Sequence, residues 1–286
     1  MTVGVAQVRI ALPSRGRLRD GVLSLLNDAG YPSAVLNGAA RAATAQVEFI
    51  EMRPRDAGAW LATGRIAGAF ISTDIMLEEE LGDLTQAPLG LARSDLILAS
   101  REDDGRTGAA DLAGGTVATH LPGATRRWFA AAGVDVTVVT MGGSLEGVCA
   151  AGLADAIVDL RETGNSLARN RLRVLAEIAS CEALFVHHPA YHHSEALADL
   201  TLRIGAVLTA REQRYVMLHL PPGRIGDLTT VFSGLAAPTV LPLAGRDDLV
   251  AVHLVVQAST FWSRLAPLRE LGASGIVALP PDALLP

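Results

Sequence analysis

Apolar and polar positions along the first part of the chain predict strands and helices in alternation. Val8–Leu12 is a short apolar run typical of a buried strand, and Pro13–Gly16 follows it as a turn. The segment from Leu18 to Ala29 then places its apolar residues at helical spacing. The pattern continues with strands at Val47–Glu51, Ile66–Ile71, Asp95–Ala99, Thr116–Thr119, Val134–Val139 and Ala156–Leu160, and with helices at Asp56–Thr63, Asp74–Glu80, Gly123–Ala132 and Ser144–Ala151. This alternation predicts an α/β body with largely parallel sheets.

The pattern changes near Tyr215, after a long helical stretch at His193–Gln213. Six further elements are predicted: strands at Tyr215–Leu220, Thr239–Leu243, Leu249–Val256 and Gly275–Leu279, and helices at Gly223–Phe232 and Ser259–Leu271. Their order, βαββαβ, is that of the ferredoxin-like split βαβ unit. The sequence therefore predicts a larger α/β body followed by a small α+β domain.

Composition agrees with a folded protein of about two domains, since a domain takes roughly 150 residues. The chain has 286 residues, of which 50% are hydrophobic and 19% charged, which excludes wholesale disorder. No apolar run approaches the roughly 20 residues of a membrane span. Met1–Gln7 has no signal-peptide pattern, and the two cysteines, Cys149 and Cys181, form no CxxC pair. We expect a cytoplasmic protein without a membrane partner.

The charge balance narrows the chemistry further. The net charge is −6 and aromatic residues make up 4% of the chain, which argues against nucleic acid as a partner. Every basic residue is arginine and none is lysine. A Schiff-base lysine and a P-loop lysine are therefore excluded.

One segment combines a strand end, a carboxylate and a hydroxyl-rich turn. The apolar strand Ala156–Val158 runs into Asp159, and Thr163–Ser166 leads into a helix beginning near Leu167. Backbone N–H groups and hydroxyls in such a turn can bind a phosphate, and a carboxylate beside it suits ribose hydroxyls or a magnesium-bound diphosphate. The same residues also suit an ordinary helix cap, and the turn alone does not distinguish the two interpretations.

The longer motifs resemble one family, the long form of ATP phosphoribosyltransferase. Its N-terminal element is similar to Arg9–Leu18 (RIALPSRGRL), and its signature is similar to Glu146–Leu167 (EGVCAAGLADAIVDLRETGNSL). Its C-terminal domain resembles Arg214–Leu218, Ala237–Leu243 and Gly272–Pro280. The motifs occur in the family's order over nearly the whole chain.

The resemblance implies a two-lobed α/β catalytic body, like a type II periplasmic binding protein, with a C-terminal ferredoxin-like α+β regulatory domain. The body would cover residues 1–212, with one lobe at about 1–91 and 180–212 and the other at about 92–179, and the regulatory domain would cover 213–286. The implied reaction transfers the 5-phosphoribosyl group of 5-phosphoribosyl diphosphate (PRPP) to N1 of ATP with Mg²⁺. Histidine would be the effector, and the chain would form a homo-oligomer, a dimer or hexamer.

The resemblance also implies roles for individual residues. The PRPP phosphate loop would be Thr163, Gly164, Asn165, Ser166 and Leu167, with serine at 166 in place of the family's commoner threonine. Glu146 and Asp159 would be the catalytic carboxylates and the Mg²⁺ ligands. Arg15, Arg53 and Asp74 would contact ATP or pyrophosphate, and Thr239 and Ser274 would contact the effector.

Two segments depart from the family pattern. Where the family has Asp-x-Gly-Ile-Thr-Gly-x-Asp, this chain has Ala67–Asp74 and keeps only the final aspartate. A Tyr-Pro-Asn turn is replaced by Leu121–Gly123. These changes suggest an alternative, a paralogue that keeps PRPP but uses a different acceptor. A second alternative is a non-catalytic regulatory subunit, against which the retained phosphate loop argues.

Two smaller features have mainly structural interpretations. The histidines between His187 and His193 surround a proline and lack ligands at zinc spacing apart from Glu195, so a surface loop is the favoured interpretation. Cys149 lies on an apolar helix face and is expected to pack rather than react.

Overall fold

The computed structural model describes residues 7–31, 36, 41–44, 46–232 and 238–285. It divides into two compact units, of which the first takes in Met1–Ser24 and Pro32–Ala198 and the second Leu25–Tyr31 and Asp199–Pro286. Two parts of the sequence analysis lie outside the described residues: Met1–Ala6, in the segment predicted to lack a signal peptide, and Ala237, in one of the C-terminal motifs. The predicted domain boundary at residue 212 stays a prediction.

The first unit contains two sheets, and the first of these has six strands in the order β2-β3-β1-β4-β11-β5. Its strands are β1 (Val8–Pro13), β2 (Arg41–Ala43), β3 (Val47–Met52), β4 (Gly68–Ser72), β5 (Thr85–Pro88) and β11 (Ala183–His187). β1 pairs parallel with both β3 and β4, while β2, β11 and β5 run antiparallel to their neighbours. We call the part built on this sheet the first lobe.

The second sheet has five strands in the order β10-β6-β9-β7-β8 and defines the second lobe. Its strands are β6 (Ser94–Arg101), β7 (Thr116–Thr119), β8 (Thr137–Thr140), β9 (Ala156–Arg161) and β10 (Leu172–Cys181). β7 pairs parallel with β8 and β9, whereas β6 pairs antiparallel with β9 and β10.

The chain crosses between the lobes twice, and the two crossings lie side by side. Backbone hydrogen bonds join them, from Leu89 N–H to the Ala183 carbonyl and from Ala183 N–H to the Leu91 carbonyl. The two-lobed body is therefore confirmed, but the expectation of largely parallel sheets is wrong. In the second lobe β6 runs against the other four strands, and in the first lobe β2 and β11 run against the other four.

The first unit also contains helices, the first of which continues into the second unit at Leu25. They are α1 (Gly16–Asp28), α2 (Pro54–Ala62), α3 (Thr73–Glu78), α4 (Pro122–Ala131), α5 (Leu145–Ala150) and α6 (Asn165–Arg169), with 3₁₀ turns at Ala109–Leu112 and Pro189–Tyr191. α2 and α3 come close at Gly58, where an added Cβ would lie 2.7 Å from a methyl of Ile75. Glycine is therefore needed at that position for the two helices to approach.

The second unit contains α7 (Glu195–Arg211) from Asp199 onward and a four-stranded sheet. The strands are β12 (Gln213–Leu220), β13 (Thr239–Leu243), β14 (Arg246–Gln257) and β15 (Ser274–Leu279), in the order β13-β14-β12-β15. All the described pairings are antiparallel. The ferredoxin-like unit is confirmed, with one apolar face covered by Leu228, Phe261 and Leu268.

The two helices predicted in this domain are shorter and broken. Residues predicted as one helix at 223–232 form a 3₁₀ segment at Pro222–Asp227 followed by α8 (Leu228–Val231). Those predicted at 259–271 form α9 (Ala258–Phe261), a 3₁₀ turn at Trp262–Arg264 and α10 (Leu265–Glu270). Pro267 explains the second break, because it lacks the N–H that a continuous helix requires there.

Among the described residues, no helix has the length and apolarity needed to cross a membrane.

Candidate active site

Three loops of the second lobe meet where its parallel strands end. Thr119, the last residue of β7, lies in register with Thr140 of β8 and Val158 of β9. The chain then continues to His120 after β7, to Glu146 in the first turn of α5 after β8, and to Thr163 after β9. Ligands of α/β proteins bind outside the carboxyl ends of parallel strands, so this edge is the candidate site.

The predicted phosphate loop lies at this edge as an exposed turn. Gly164 has a φ of +77°, a conformation that glycine adopts without strain, and α6 begins at Asn165, two residues earlier than predicted. Thr163, Asn165 and Ser166 are exposed, while Leu167 is buried in the core of the second lobe. Leu167 therefore fixes the turn to the core, while Thr163 and Ser166, which carry the hydroxyl groups of the turn, lie on its exposed side.

Two carboxylates and a histidine line the same edge. The Asp159 carboxylate accepts a hydrogen bond from Leu160 N–H at 2.8 Å, and the same oxygen lies 3.4 Å from Nδ1 of His120. Glu146 accepts a hydrogen bond from the Ser166 hydroxyl. Glu146, Asp159 and Ser166, which are far apart in sequence, are thus brought to one edge of the sheet.

Burial raises the pKa of Asp159 above the ordinary aspartate range, and the nearby Glu146 carboxylate adds to the rise. The His120 ring and the hydrogen bond from Leu160 oppose it by favouring the charged form. A partly buried carboxylate with a carboxylate neighbour gains from a cation placed beside it.

The residues present fit a magnesium ion. Both carboxylates and the hydroxyl of Ser166 are hard oxygen donors, which Mg²⁺ prefers. The described residues contain no cluster of three or more candidate metal-binding side chains. Mg²⁺ needs no such cluster when a substrate diphosphate supplies further oxygens, since one or two protein carboxylates then suffice.

In the first lobe, the three parallel strands end on residues that the sequence singled out. Arg15 follows β1 and Arg53 follows β3, and both are exposed. Asp74 follows β4 but is only 3% exposed, and its Oδ1 has no hydrogen-bond partner among the described residues. The two arginines are thus open to a ligand, whereas Asp74 lies within the protein.

Asp74 has a close neighbour in Cys181. Burial raises the pKa of the Cys181 thiol to about 12, and the Asp74 carboxylate contributes to that rise. The thiol therefore stays protonated and unreactive at neutral pH. Cys149 is also fully buried, which agrees with its predicted packing role.

A cavity of about 410 Å³ lies where the chain crosses between the lobes. Its lining is Arg93, Ser94, Asp95, Glu162, Ser180, Cys181 and Glu182. On its second-lobe side Arg161 pairs with Asp95 at 2.6 Å. On the other side Arg17 of the first lobe pairs with Glu162, so the two lobes also touch beside the phosphate loop.

The segments that depart from the family pattern occupy different environments. Ala67, Ala69, Phe70 and Ile71 are fully or almost fully buried in or beside β4, and the Phe70 ring packs 4.8 Å from that of Phe185. These substitutions change the core of the first lobe and do not face the cleft. Gly123 is different, because an added Cβ there would lie 3.1 Å from a carboxylate oxygen of Glu78.

The two predicted effector residues lie on opposite edges of the second unit's sheet. Thr239 is in β13 and Ser274 is in β15, with β14 and β12 between them. Strands are about 4.8 Å apart, which separates the two positions by roughly 14 Å within one chain. One small ligand does not reach both in the same subunit.

The four histidines between His187 and His193 differ in their surroundings. His187 is in β11, where burial lowers its pKa, and His188 accepts a hydrogen bond from Ala190 N–H. Tyr191 donates to the Gly64 carbonyl. His192 and His193 are exposed.

His120 is a site residue that the sequence analysis did not single out. Its position directly after the strand Thr116–Thr119 was the available signal, because side chains at the end of a parallel strand face a binding edge. The sequence also gave no sign of the backbone conformation of Ser144, which has a φ of +58° just before α5. Strained backbone of this kind is concentrated at functional sites.

The fold and this edge define a two-lobed α/β protein whose cleft carries a hydroxyl-rich loop, carboxylates and arginines suited to a phosphorylated ligand. Two family models match the chain, ATP phosphoribosyltransferase over residues 53–206 and its C-terminal domain over residues 210–281. The chain belongs to the ATP phosphoribosyltransferase family.

Individual relatives agree with that assignment. The ATP phosphoribosyltransferase of Gemmatimonas aurantiaca is 35% identical over 98% of this chain and 100% of its own length. That of Methanococcoides burtonii is 31% identical with the same coverage of both chains. A solved structure, the ATP phosphoribosyl transferase (HisG:HisZ) complex from Thermotoga maritima, matches with a TM-score of 0.62 and 27% identity, covering 69% of this chain and 96% of that one.

Proposed function

We propose that this chain transfers the 5-phosphoribosyl group of PRPP to N1 of ATP and releases pyrophosphate, the first step of histidine biosynthesis. The observation that carries the proposal is the family match over nearly the full chain together with the loop, carboxylates and arginines at the cleft. A new bond forms between N1 of ATP and C1′ of the ribose. The bond from C1′ to the pyrophosphate oxygen breaks, and pyrophosphate leaves with the electron pair.

PRPP binding is assigned to the second lobe. Thr163, Gly164, Asn165, Ser166 and Leu167 bind the 5′-phosphate through the backbone N–H groups of the exposed turn and the Thr163 hydroxyl. Asp159 and Glu146 hold the ribose hydroxyls or Mg²⁺, and the hydrogen bond from Ser166 keeps the Glu146 side chain oriented. When bound, Mg²⁺ neutralises charge on the pyrophosphate.

Polyphosphate binding is assigned to the first lobe. Arg15 and Arg53 contact the pyrophosphate or the ATP triphosphate, because a guanidinium group binds phosphate oxygens through paired donors. Asp74 contributes to the same region only through the backbone of the first turn of α3, since its side chain is buried. The reaction thus requires both lobes around one pair of substrates.

Regulation and assembly complete the proposal. Histidine is proposed as effector at Thr239 and Ser274, which would have to act in different sites or from different subunits given their separation. A homo-oligomer, either a dimer or a hexamer, would allow the two residues to act from different subunits. A cytoplasmic location belongs to the same proposal.

A different acceptor is not favoured. The main argument for it was the altered segment at Ala67–Asp74, and its bulky residues are buried in the first lobe rather than placed in the cleft. A non-catalytic subunit is not favoured either, because it has no need of the exposed loop and paired carboxylates.

The decisive experiment measures pyrophosphate release from PRPP and Mg²⁺ with ATP as sole acceptor. Turnover on the order of 1 s⁻¹ is expected, within the ordinary range for enzymes. The control omits ATP and should release no pyrophosphate above background hydrolysis. PRPP binding without ATP-dependent release would contradict ATP as the acceptor.

A further inference from the structure

The two lobes are held together by a polar contact between α3 and α4. The Glu78 carboxylate, at the end of α3 in the first lobe, accepts a hydrogen bond at 2.8 Å from Ala124 N–H at the start of α4 in the second lobe. In return, Arg127 of α4 donates to the Leu77 and Glu78 carbonyls at the end of α3. Each helix end therefore receives its missing hydrogen-bond partner from the other lobe.

Arg55 adds a second connection to the same point. From α2 of the first lobe, its guanidinium binds Glu78 at 3.1 Å and donates to the His120 carbonyl, also at 3.1 Å. The Glu78 side chain is only 5% exposed, while that of Arg55 is 47% exposed. The buried carboxylate is thus paired with a charge that water can still reach.

This contact bears on the candidate active site because the loop between β7 and α4 is short. The loop consists of His120, whose ring faces Asp159, and Leu121, and Ala124 lies in the first turn of α4 that follows it. The first lobe therefore contacts the chain on both sides of Leu121, through the His120 carbonyl and the Ala124 N–H. Gly123 leaves room for this arrangement, since a Cβ there would crowd Glu78.

We propose that Arg55 and Glu78 are positioning residues. Their contacts with His120 and Ala124, which we call the latch, hold the two lobes together and keep His120 beside Asp159 in the geometry that phosphoribosyl transfer requires. The expected effect of the latch on the rate rests on the proposed function, whereas its expected effect on the distance between the lobes does not. The groups assigned to the 5′-phosphate and ribose of PRPP all lie in the second lobe, whereas the arginines assigned to the pyrophosphate or the ATP triphosphate lie in the first. Opening the latch moves these arginines away without removing the groups that hold the ribose and its 5′-phosphate.

The test uses Glu78→Gln and Arg55→Gln in the full chain, singly and together. We expect kcat to fall on the order of tenfold in each, because displacing a reacting group by about 1 Å can cost up to about 100-fold in rate. The PRPP dissociation constant should change by less than about twofold, a free-energy change of roughly 0.4 kcal/mol. The kcat of the double variant should fall no further than that of the less active single variant, since both residues act through one contact.

Arg65→Gln is the matched control, because Arg65 is exposed in the first lobe and makes no ion pair among the described residues. Its kcat should equal that of the unaltered protein. An unchanged kcat in Arg55→Gln would overturn the proposal. So would a PRPP affinity that falls by the same factor as kcat, because it would indicate a general structural defect in the second lobe.

A distance measurement keeps the latch testable apart from the reaction. Spin labels at Trp60→Cys in the first lobe and Ala110→Cys in the second report the lobe separation, and the native cysteines are buried and do not compete. We expect a longer or broader distance distribution in both latch variants. If the unaltered protein releases no ATP-dependent pyrophosphate, the proposed function fails, and an unchanged distribution in that case would still overturn the latch.

Discussion

The segment Ala67–Asp74 spans β4 of the first lobe and the segment Asp159–Leu167 leads out of β9 of the second, and the two present their residues in opposite ways. The first directs Phe70 and Ile71 into the core, where both are fully buried. The second turns outward after β9, so that Thr163, Asn165 and Ser166 are exposed. A departure from a family pattern therefore indicates altered chemistry only where the changed side chains reach the ligand.

The largest effect is expected at Asp159 in the outward-facing segment. Asp159→Asn should lower kcat/KM for PRPP by about 100- to 1000-fold, since it removes a negative charge from the place where the ribose hydroxyls or Mg²⁺ are held. Steady-state rates at saturating ATP measure it. Asp103→Asn, an exposed aspartate in a loop of the same lobe, is the control and should behave as the unaltered protein. Equal activity in both variants would remove Asp159 from the site.

A smaller effect is expected at Ser166 in the same segment. Ser166→Ala removes the hydroxyl that orients Glu146 and should raise KM for PRPP about tenfold, the effect of roughly one charge-assisted hydrogen bond. Ser166→Thr retains the hydroxyl and should change KM by less than about threefold. A threonine variant as defective as the alanine variant would show that the hydroxyl is not the relevant group.

The inward-facing segment should respond in stability rather than in acceptor affinity. Phe70→Leu removes part of a fully buried ring pair with Phe185 and should cost about 1–2 kcal/mol of unfolding free energy. KM for ATP should stay within about twofold, because no altered atom reaches the cleft. Denaturant unfolding and ATP titration of the same preparation measure both. A large change in ATP KM with unchanged stability would reverse the comparison.

The smallest effect concerns Asp155, which precedes β9 at the end opposite to Asp159. Its carboxylate accepts from Thr116 N–H at 2.8 Å and from Arg106 at 2.6 Å. The Thr116 hydrogen bond, with the Arg106 charge, lowers the pKa of Asp155. Asp155→Asn should therefore cost about 1 kcal/mol at neutral pH, a partly screened contribution.

The pH dependence of that cost has a definite sign. A lowered pKa in the folded state stabilises the protein above the unfolded pKa of about 3.9 and is lost as the pH falls through the folded value. The difference between Asp155→Asn and the unaltered protein should thus be constant from pH 6 to 8 and shrink below about pH 4. Thermal unfolding across this range measures it, and a difference that grew on acidification would contradict the assigned pKa direction.

Several elements could be predicted from the sequence because their signals are local. The strand Thr116–Thr119 has the predicted bounds, and β1, β9 and β13 differ from prediction by at most one residue at either end. Hydrophobic spacing and turn residues act within a few positions, so they are visible without a fold. The βαββαβ order of the C-terminal domain was readable for the same reason.

Other features could not be predicted because distant parts of the chain decide them. β10 and β11 belong to two different sheets although only one residue separates them. The burial of Asp74 depends on packing near Cys181, more than a hundred positions later. His120 gains its significance only when β7 and β9 pair and bring it to Asp159.

The sequence by itself determined the alternation of strands and helices, the C-terminal βαββαβ unit and, through its ordered motifs, the family. Local spacing and residue chemistry carry that information directly. Only the tertiary structure decided which strands run antiparallel, which family departures are buried, and that Arg55 and Glu78 join the lobes beside His120. Those outcomes depend on contacts between residues far apart in the chain, and such contacts exist only once the two sheets have formed.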